Sequence, residues 1–225
     1  MTGQDLYRIR DFVPEFEAIA AETARRSRAL AGRATIRRDI AYGETPRAVL
    51  DLIFPENPAP GAPLHMFIHG GYWRSGEKAD HTCVASPVLA AGGIAAIVEY
   101  DLMPGTRLGT IVRQTRQAAQ WLVNNAAEFG ADPARLTASG HSAGGHLASL
   151  LAATAPGEMP GPLPAVRGLL MVSGIYDLSG IPGSFLKDEN RMTPEEARDF
   201  SPLSAQHHAG PYRVIALGED ETAPF

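Results

Sequence analysis

Apolar positions along this chain alternate between two spacings. From Pro14 to Leu30 they recur at helical intervals, and Phe16, Ile19, Thr23, Ser27 and Leu30 fall on one face of a predicted amphipathic helix. Thr35–Tyr42 and Val49–Phe54 read as strands, expected to pair antiparallel and lead into a sheet. The stretch 55–63 carries too many prolines for either element and predicts a surface connection. Near-continuous apolar runs follow at Leu64–Ile68, Ile94–Glu99, Leu136–Ser139, Val166–Val172 and Tyr212–Leu217, as expected for parallel strands covered on both faces. Helical patterns separate them at Ala79–Ala91, Leu108–Phe129 and Ala143–Ala153. In the middle one, Ile111, Thr115, Ala118, Leu122, Ala126 and Phe129 form a single stripe, with Arg113, Gln117, Gln120, Asn124 and Glu128 opposite. Such alternation predicts an α/β fold, doubly wound with right-handed crossovers, in which residues 1–225 form one domain.

Composition narrows the classes without changing that picture. At 225 residues the chain can bury a substantial core, and 44% hydrophobic with 20% charged residues fits a globular protein. A net charge of −5 with no basic patch argues against a nucleic-acid partner. No apolar run approaches a membrane span, and the first residues lack a signal-peptide pattern. The single Cys83 cannot form an internal disulfide and is expected as a small apolar side chain in a helix, consistent with a cytoplasmic location. Histidines and acids lack metal-ligand spacing and no phosphate loop is present, so neither a metal nor another cofactor is expected. The expected partner is a small molecule; a homodimer is left open.

Two motifs carry chemistry. Gly140-His141-Ser142-Ala143-Gly144 has the form G-x-S-x-G, between an apolar strand and a helix of small residues. That context predicts a strained strand-to-helix turn presenting Ser142 as a nucleophile, with no room for side chains at Gly140 and Gly144. His69-Gly70-Gly71-Tyr72-Trp73 follows another predicted strand. Acyl transfer passes through an oxyanion that needs fixed N–H donors, and the amides of Gly71, Tyr72 and Ala143 are the candidates.

With Glu99-Tyr100-Asp101-Leu102-Met103-Pro104, Asp132-Pro133-Ala134-Arg135-Leu136, Ser173-Gly174-Ile175-Tyr176-Asp177-Leu178 and Phe200-Ser201-Pro202-Leu203, these motifs resemble the α/β-hydrolase fold. Within it the chain looks like the kynurenine formamidase (arylformamidase) group and its esterase relatives. The resemblance implies a mostly parallel sheet with helices on both faces. It also implies a serine hydrolase acting on small carboxylic esters or aryl formamides such as N-formylkynurenine. The alternatives are a general short-chain carboxylesterase and a non-catalytic, hydrolase-like binding protein.

In that group the catalytic acid follows the strand at Tyr212–Leu217, three residues after a glycine, which falls on Glu221, with Asp220 as the alternative. Tyr72 and Trp73 would pack against an aromatic leaving group. The segments Met103–Leu108 and Gly180–Glu196 could shape a pocket rim. The catalytic histidine of the family lies after one further helix and strand, which this sequence does not contain. None of His65, His69, His81, His141, His146, His207 and His208 matches its position. The expectation is therefore a domain without the last helix and strand of that fold. It would be a fragment of a longer enzyme, a hydrolase-like protein without turnover, or a chain whose partner supplies the base.

Overall fold

A computed structural model of the chain describes residues 5–159, 161–219 and 221–222. Nine strands and six α-helices follow in the order α1 (Phe16–Ala31), β1 (Thr35–Ala41), β2 (Val49–Phe54), β3 (Ala62–Ile68), α2 (Ser86–Ala90), β4 (Ile94–Val98), α3 (Leu108–Asn125), β5 (Ala131–His141), α4 (Ala143–Leu150), β6 (Ala153–Thr154), β7 (Gly168–Val172), α5 (Lys187–Asn190), α6 (Pro194–Phe200), β8 (Gln206–His207) and β9 (Tyr212–Ala216) among the described residues. Seven strands form one sheet in the order β1-β2-β4-β3-β5-β7-β9, and β6 pairs with β8 separately. β1, β2 and β4 are joined antiparallel, as expected for the first hairpin; the β4-β3-β5-β7-β9 pairings are parallel.

Alternation along the strands divides the core into two faces. Leu64, Met66 and Ile68 of β3 and Ile94, Ala96 and Val98 of β4 join the larger cluster, with α3 and α4. Phe67, Ala95 and Ile97 point the other way, onto Leu30 of α1 and Ala85. All six residues of the α3 stripe are buried, Ala126 and Phe129 in a 3₁₀ turn that continues it. The α1 stripe differs: Ser27 and Leu30 are buried, whereas Ile19 is 56% exposed because only the last turns of α1 reach the sheet. The helix expected over Ala79–Ala91 is a 3₁₀ segment, Lys78–Ala85, followed by the short α2. Pro87 explains the break, since it has no N–H for the preceding turn and sits near the start of α2.

β9 forms one edge of the sheet, and Tyr212, Val214, Ile215 and Leu217 are each more than half exposed, so the expected covering on both faces fails here. At the opposite end, a bulge in β1 between Arg37 and Ile40 puts Asp39 at φ 53°. The Asp39 N–H donates to Asp51 Oδ1 at 2.9 Å, and Lys78 Nζ bridges Asp39 (2.8 Å) and the buried Asp51 (2.7 Å). Removing the lysine would leave the Asp51 carboxylate short of its nearest cation. Lys78→Met is therefore expected to lower stability by about 3 kcal/mol, read as a lower urea midpoint with an unchanged slope.

Candidate active site

Strand register gathers the candidate residues at one edge of the sheet. Ile68 pairs with Val98 and Gly140, His141 with Val172, and Val172 with Ala216. The segments that leave these strands, beginning at His69, Glu99, Ser142, Ser173 and Leu217, therefore emerge side by side at the carboxyl ends, the usual binding edge of an open parallel sheet. Two hydrogen bonds extend this alignment, from Ser142 N–H to Val172 O (2.9 Å) and from Ser173 N–H to Ala216 O (2.8 Å).

Ser142 is the turn residue between β5 and α4, at φ 54° and ψ −122°, a conformation that an L-residue rarely adopts. The flanking glycines explain how the turn closes. A Cβ on Gly140 would lie 2.0 Å from Gly144 O, and one on Gly144 would lie 2.0 Å from Ile68 O. Both sites therefore exclude any side chain, as the motif predicts. Ala143 is the first residue of α4, so its N–H has no acceptor within the helix and lies directly after Ser142.

The other motif borders this turn. A Cβ on Gly70 would sit 3.1 Å from Ser142 Cβ and 2.8 Å from His141 O, so the two loops touch. Gly71, Tyr72 and Trp73 are all left-handed, with φ 117°, 50° and 57°. Gly71 O accepts from Arg74 N–H (3.0 Å) and Ser75 N–H (3.1 Å), which holds this strained turn. The Tyr72 hydroxyl donates to Tyr7 O, and its ring meets Phe185 edge-on at 5.9 Å. Burial, followed by the charge of Asp5, raises its pKa well above the ordinary tyrosine value.

Trp73 departs from expectation. Its side chain is 0% exposed and packs in the main core, so it does not face a leaving group. Its indole N–H donates to His146 Nδ1 at 3.1 Å. With Nδ1 accepting, His146 is the Nε2–H tautomer and donates to Phe200 O at 2.9 Å. His146 thus links the His69–Trp73 loop, α4 and α6, a role that sequence spacing did not reveal.

The other histidines are accounted for as follows. His65 lies within β3 beside Thr137 and Ser139, at 2.8 and 2.7 Å. His81 stacks parallel to His69 at 5.8 Å. His207 donates to Pro202 O at 2.8 Å, and His208 lies 3.1 Å from Thr154 Oγ1. Among the described residues, no histidine hydrogen-bonds to Ser142.

Glu221 is half-buried in the turn after β9, where its Oε1 accepts from Gly218 N–H at 3.3 Å. Although part of His141 reaches solvent, the protein around its ring lowers its pKa, and the charge of Glu221 opposes that effect. Glu221 also acts on Tyr72, so the acid lies near both motifs. Its alternative, Asp220, lies outside the described residues. The N-terminal segment joins this region, an arrangement its sequence gave no sign of. Thr222 Oγ1 donates to Leu6 O (2.9 Å) and Phe185 N–H to Asp5 Oδ2 (2.5 Å). The two proposed rim segments meet through Arg107, which donates to Glu196 Oε1 (3.1 Å) and Arg191 O (3.0 Å). Among the described residues, no helix is long and apolar enough to cross a membrane.

Burial holds His146 neutral down to about 4, far below the 6.5 of an ordinary histidine. Between those values the unfolded chain binds a proton that the folded state refuses, so stability falls as the pH drops from 6.5 towards 4. His65 and His81, also lowered to about 4 by burial, add to the same trend. The expected loss is on the order of 3 kcal/mol from His146 alone, seen as a urea midpoint that falls with acidification. His146→Gln should be less stable at neutral pH and show a shallower pH slope.

Comparison with known proteins agrees with this fold. A family model described as BD-FAE matches residues 50–194. Kynurenine formamidase of Danio rerio is 31% identical over 164 residues, which cover 73% of this chain and 54% of that protein. Esterase LipC of Mycobacterium tuberculosis is 31% identical over 170 residues, covering 72% of this chain and 40% of that protein. The chain thus spans about half the length of the formamidase it matches. Among solved structures, a protein from Silicibacter described as a thioesterase superposes over 100% of this chain and 83% of its own, with a TM-score of 0.84 and 26% identity. Esterase 2 of Thermogutta terrifontis shares the fold, with a TM-score of 0.63 and 23% identity over 81% of this chain and 69% of its own.

Proposed function

From the premise that the chain belongs to the BD-FAE family and has the α/β-hydrolase fold, we propose that it is a serine hydrolase of small carboxylic esters or aryl formamides. The observation that carries this is the strained turn at Ser142, packed directly against the Gly70–Gly71 loop. Ser142 Oγ attacks the substrate carbonyl. The oxyanion that forms accepts from the N–H groups of Gly71, Tyr72 and Ala143. Loss of the alcohol or arylamine leaves an acyl-enzyme on Ser142, and water releases the carboxylic acid, or formate from a formamide. Glu221 orients the imidazolium that forms when Ser142 gives up its proton. None of the seven histidines placed above hydrogen-bonds to Ser142, and that imidazole is assigned to none of them.

Treatment with a fluorophosphonate tests the reading. The protein from its native source should gain one adduct, on Ser142, and Ser142→Ala should gain none. Absence of an adduct, together with no hydrolysis of either 4-nitrophenyl acetate or N-formylkynurenine, would overturn it and leave a binding protein. The same two substrates separate the finer alternatives. Faster turnover of N-formylkynurenine is expected from a formamidase, and of the acetate from a general esterase. Because the Trp73 indole is buried away from the surface, selection of an aromatic leaving group cannot rest on it.

A further inference from the structure

We propose that His69 is a positioning residue, an imidazolium paired with Glu99 that orients and polarises the Gly70–Gly71 peptide, on the premise above that Gly71 N–H is an oxyanion donor. The ring is 0% exposed, and each nitrogen faces an acceptor. Nδ1 lies 2.7 Å from Gly70 O and Nε2 lies 2.9 Å from Glu99 Oε1. A carbonyl and a carboxylate have no hydrogen to donate, so both ring nitrogens carry one. Tyr100 does not change this assignment. Its Oη donates to His69 O at 2.8 Å, which leaves only a lone pair towards Nδ1 at 3.3 Å.

The surroundings support a positive ring. Glu99 also accepts from Arg47 (2.5 Å), Lys78 N–H (2.9 Å) and Tyr100 N–H (3.3 Å), and these donors, with His69, hold the carboxylate in its ionised form against the cost of burial. The Tyr100 ring stacks on His69 at 4.3 Å and His81 lies parallel at 5.8 Å. Burial first, then the nearby His69 and His141, keeps His81 neutral to about 4. Glu99, His69 and Arg47 together leave one net positive charge behind the loop.

The effect on the loop follows from peptide geometry. The Gly70–Gly71 unit is planar, so the Gly71 N–H points opposite to the Gly70 C=O. Anchoring that carbonyl to His69 fixes the direction of the N–H. A charge-assisted bond to the oxygen also draws electron density through the amide and makes the N–H a stronger donor. The net positive charge adds to stabilisation of an oxyanion.

Nuclear magnetic resonance of protein labelled with ¹⁵N and ¹³C tests this without requiring turnover. His69 should show two protonated ring nitrogens at pH 7.5, with a scalar coupling from Nδ1 across the hydrogen bond to the Gly70 carbonyl carbon. Glu99→Gln should convert the ring to a single N–H and move the Gly71 amide proton upfield. A neutral His69 in the unmodified protein overturns the proposal, even if Glu99→Gln fails to fold. An unmoved Gly71 amide in a folded Glu99→Gln overturns it equally. In turnover assays Glu99→Gln should lower kcat roughly 10-fold or more with KM changed less than about 2-fold, short of the roughly 10²–10³ for an oxyanion donor removed outright. An unchanged kcat overturns the proposal. Failure of the hydrolase reading shows separately, as Ser142 that takes no fluorophosphonate.

Discussion

Ser142→Ala is expected to lower kcat for ester or formamide hydrolysis by at least roughly 10⁴-fold while leaving the fold intact. Without Oγ no acyl-enzyme can form, and water must attack the substrate directly. The structural cost is small for a reason visible at the turn. Ser142 is held through its main chain, with its N–H on Val172 O at 2.9 Å and its carbonyl accepting from His146 N–H at 3.1 Å. Its hydroxyl makes no hydrogen bond among the described residues. Alanine keeps the same Cβ and meets the same backbone constraint at φ 54°, so the urea midpoint should shift by less than the equivalent of about 1 kcal/mol. Initial rates and equilibrium unfolding on the same preparation check both halves. Retention of a hundredth of the original rate or more would remove Ser142 from the role of nucleophile.

Gly144→Ala should have the largest effect on stability. The added Cβ would lie 2.0 Å from Ile68 O and 2.6 Å from His69 O, both backbone atoms where β3 passes into the loop that begins at His69. Neither can retreat without breaking the β3 pairings to β4 and β5, which hold Ile68 to Val98 and to Gly140. The expected loss is about 4–5 kcal/mol, at the upper end for a single substitution, or a failure to accumulate folded protein. Gly145→Ala provides the control, because its Cβ would meet Gly174 Cα at 3.0 Å and nothing else closer than 3.4 Å. A loss of about 1–2 kcal/mol is expected there. Equal stabilities for the two variants, measured by urea unfolding, would contradict the crowding that forces Ser142 into its strained turn.

Much of this architecture was legible before any coordinates. Local patterns carried it: near-continuous apolar runs such as Leu64–Ile68, the stripe from Ile111 to Phe129, and glycines at 140 and 144 on either side of a serine. Each depends on neighbours within a turn or two, so spacing along the chain reports it directly. Pro87 is also a local signal, and it divides the helical pattern of Ala79–Ala91 into a 3₁₀ segment and α2. The α1 stripe shows where a periodic pattern stops being informative, because Ile19 has the right spacing and still lies 56% exposed.

Tertiary structure decided what depends on distant partners. Trp73, read as a substrate contact, is buried because His146, 73 residues away, accepts its N–H. His69 meets Glu99 only because β3 and β4 pair in register, and Asp5–Tyr7 meet Phe185, Tyr72 and Thr222 only once the chain has closed on itself. By itself the sequence determined the strands of the main sheet, the long helices, the nucleophile candidate and the loop beside it, because backbone sterics and the burial of apolar side chains act over short stretches. Which side chains support that loop, and which merely fill the core, was decided by strand order and register. Those are properties of the whole packed sheet and cannot be read from any one segment of it.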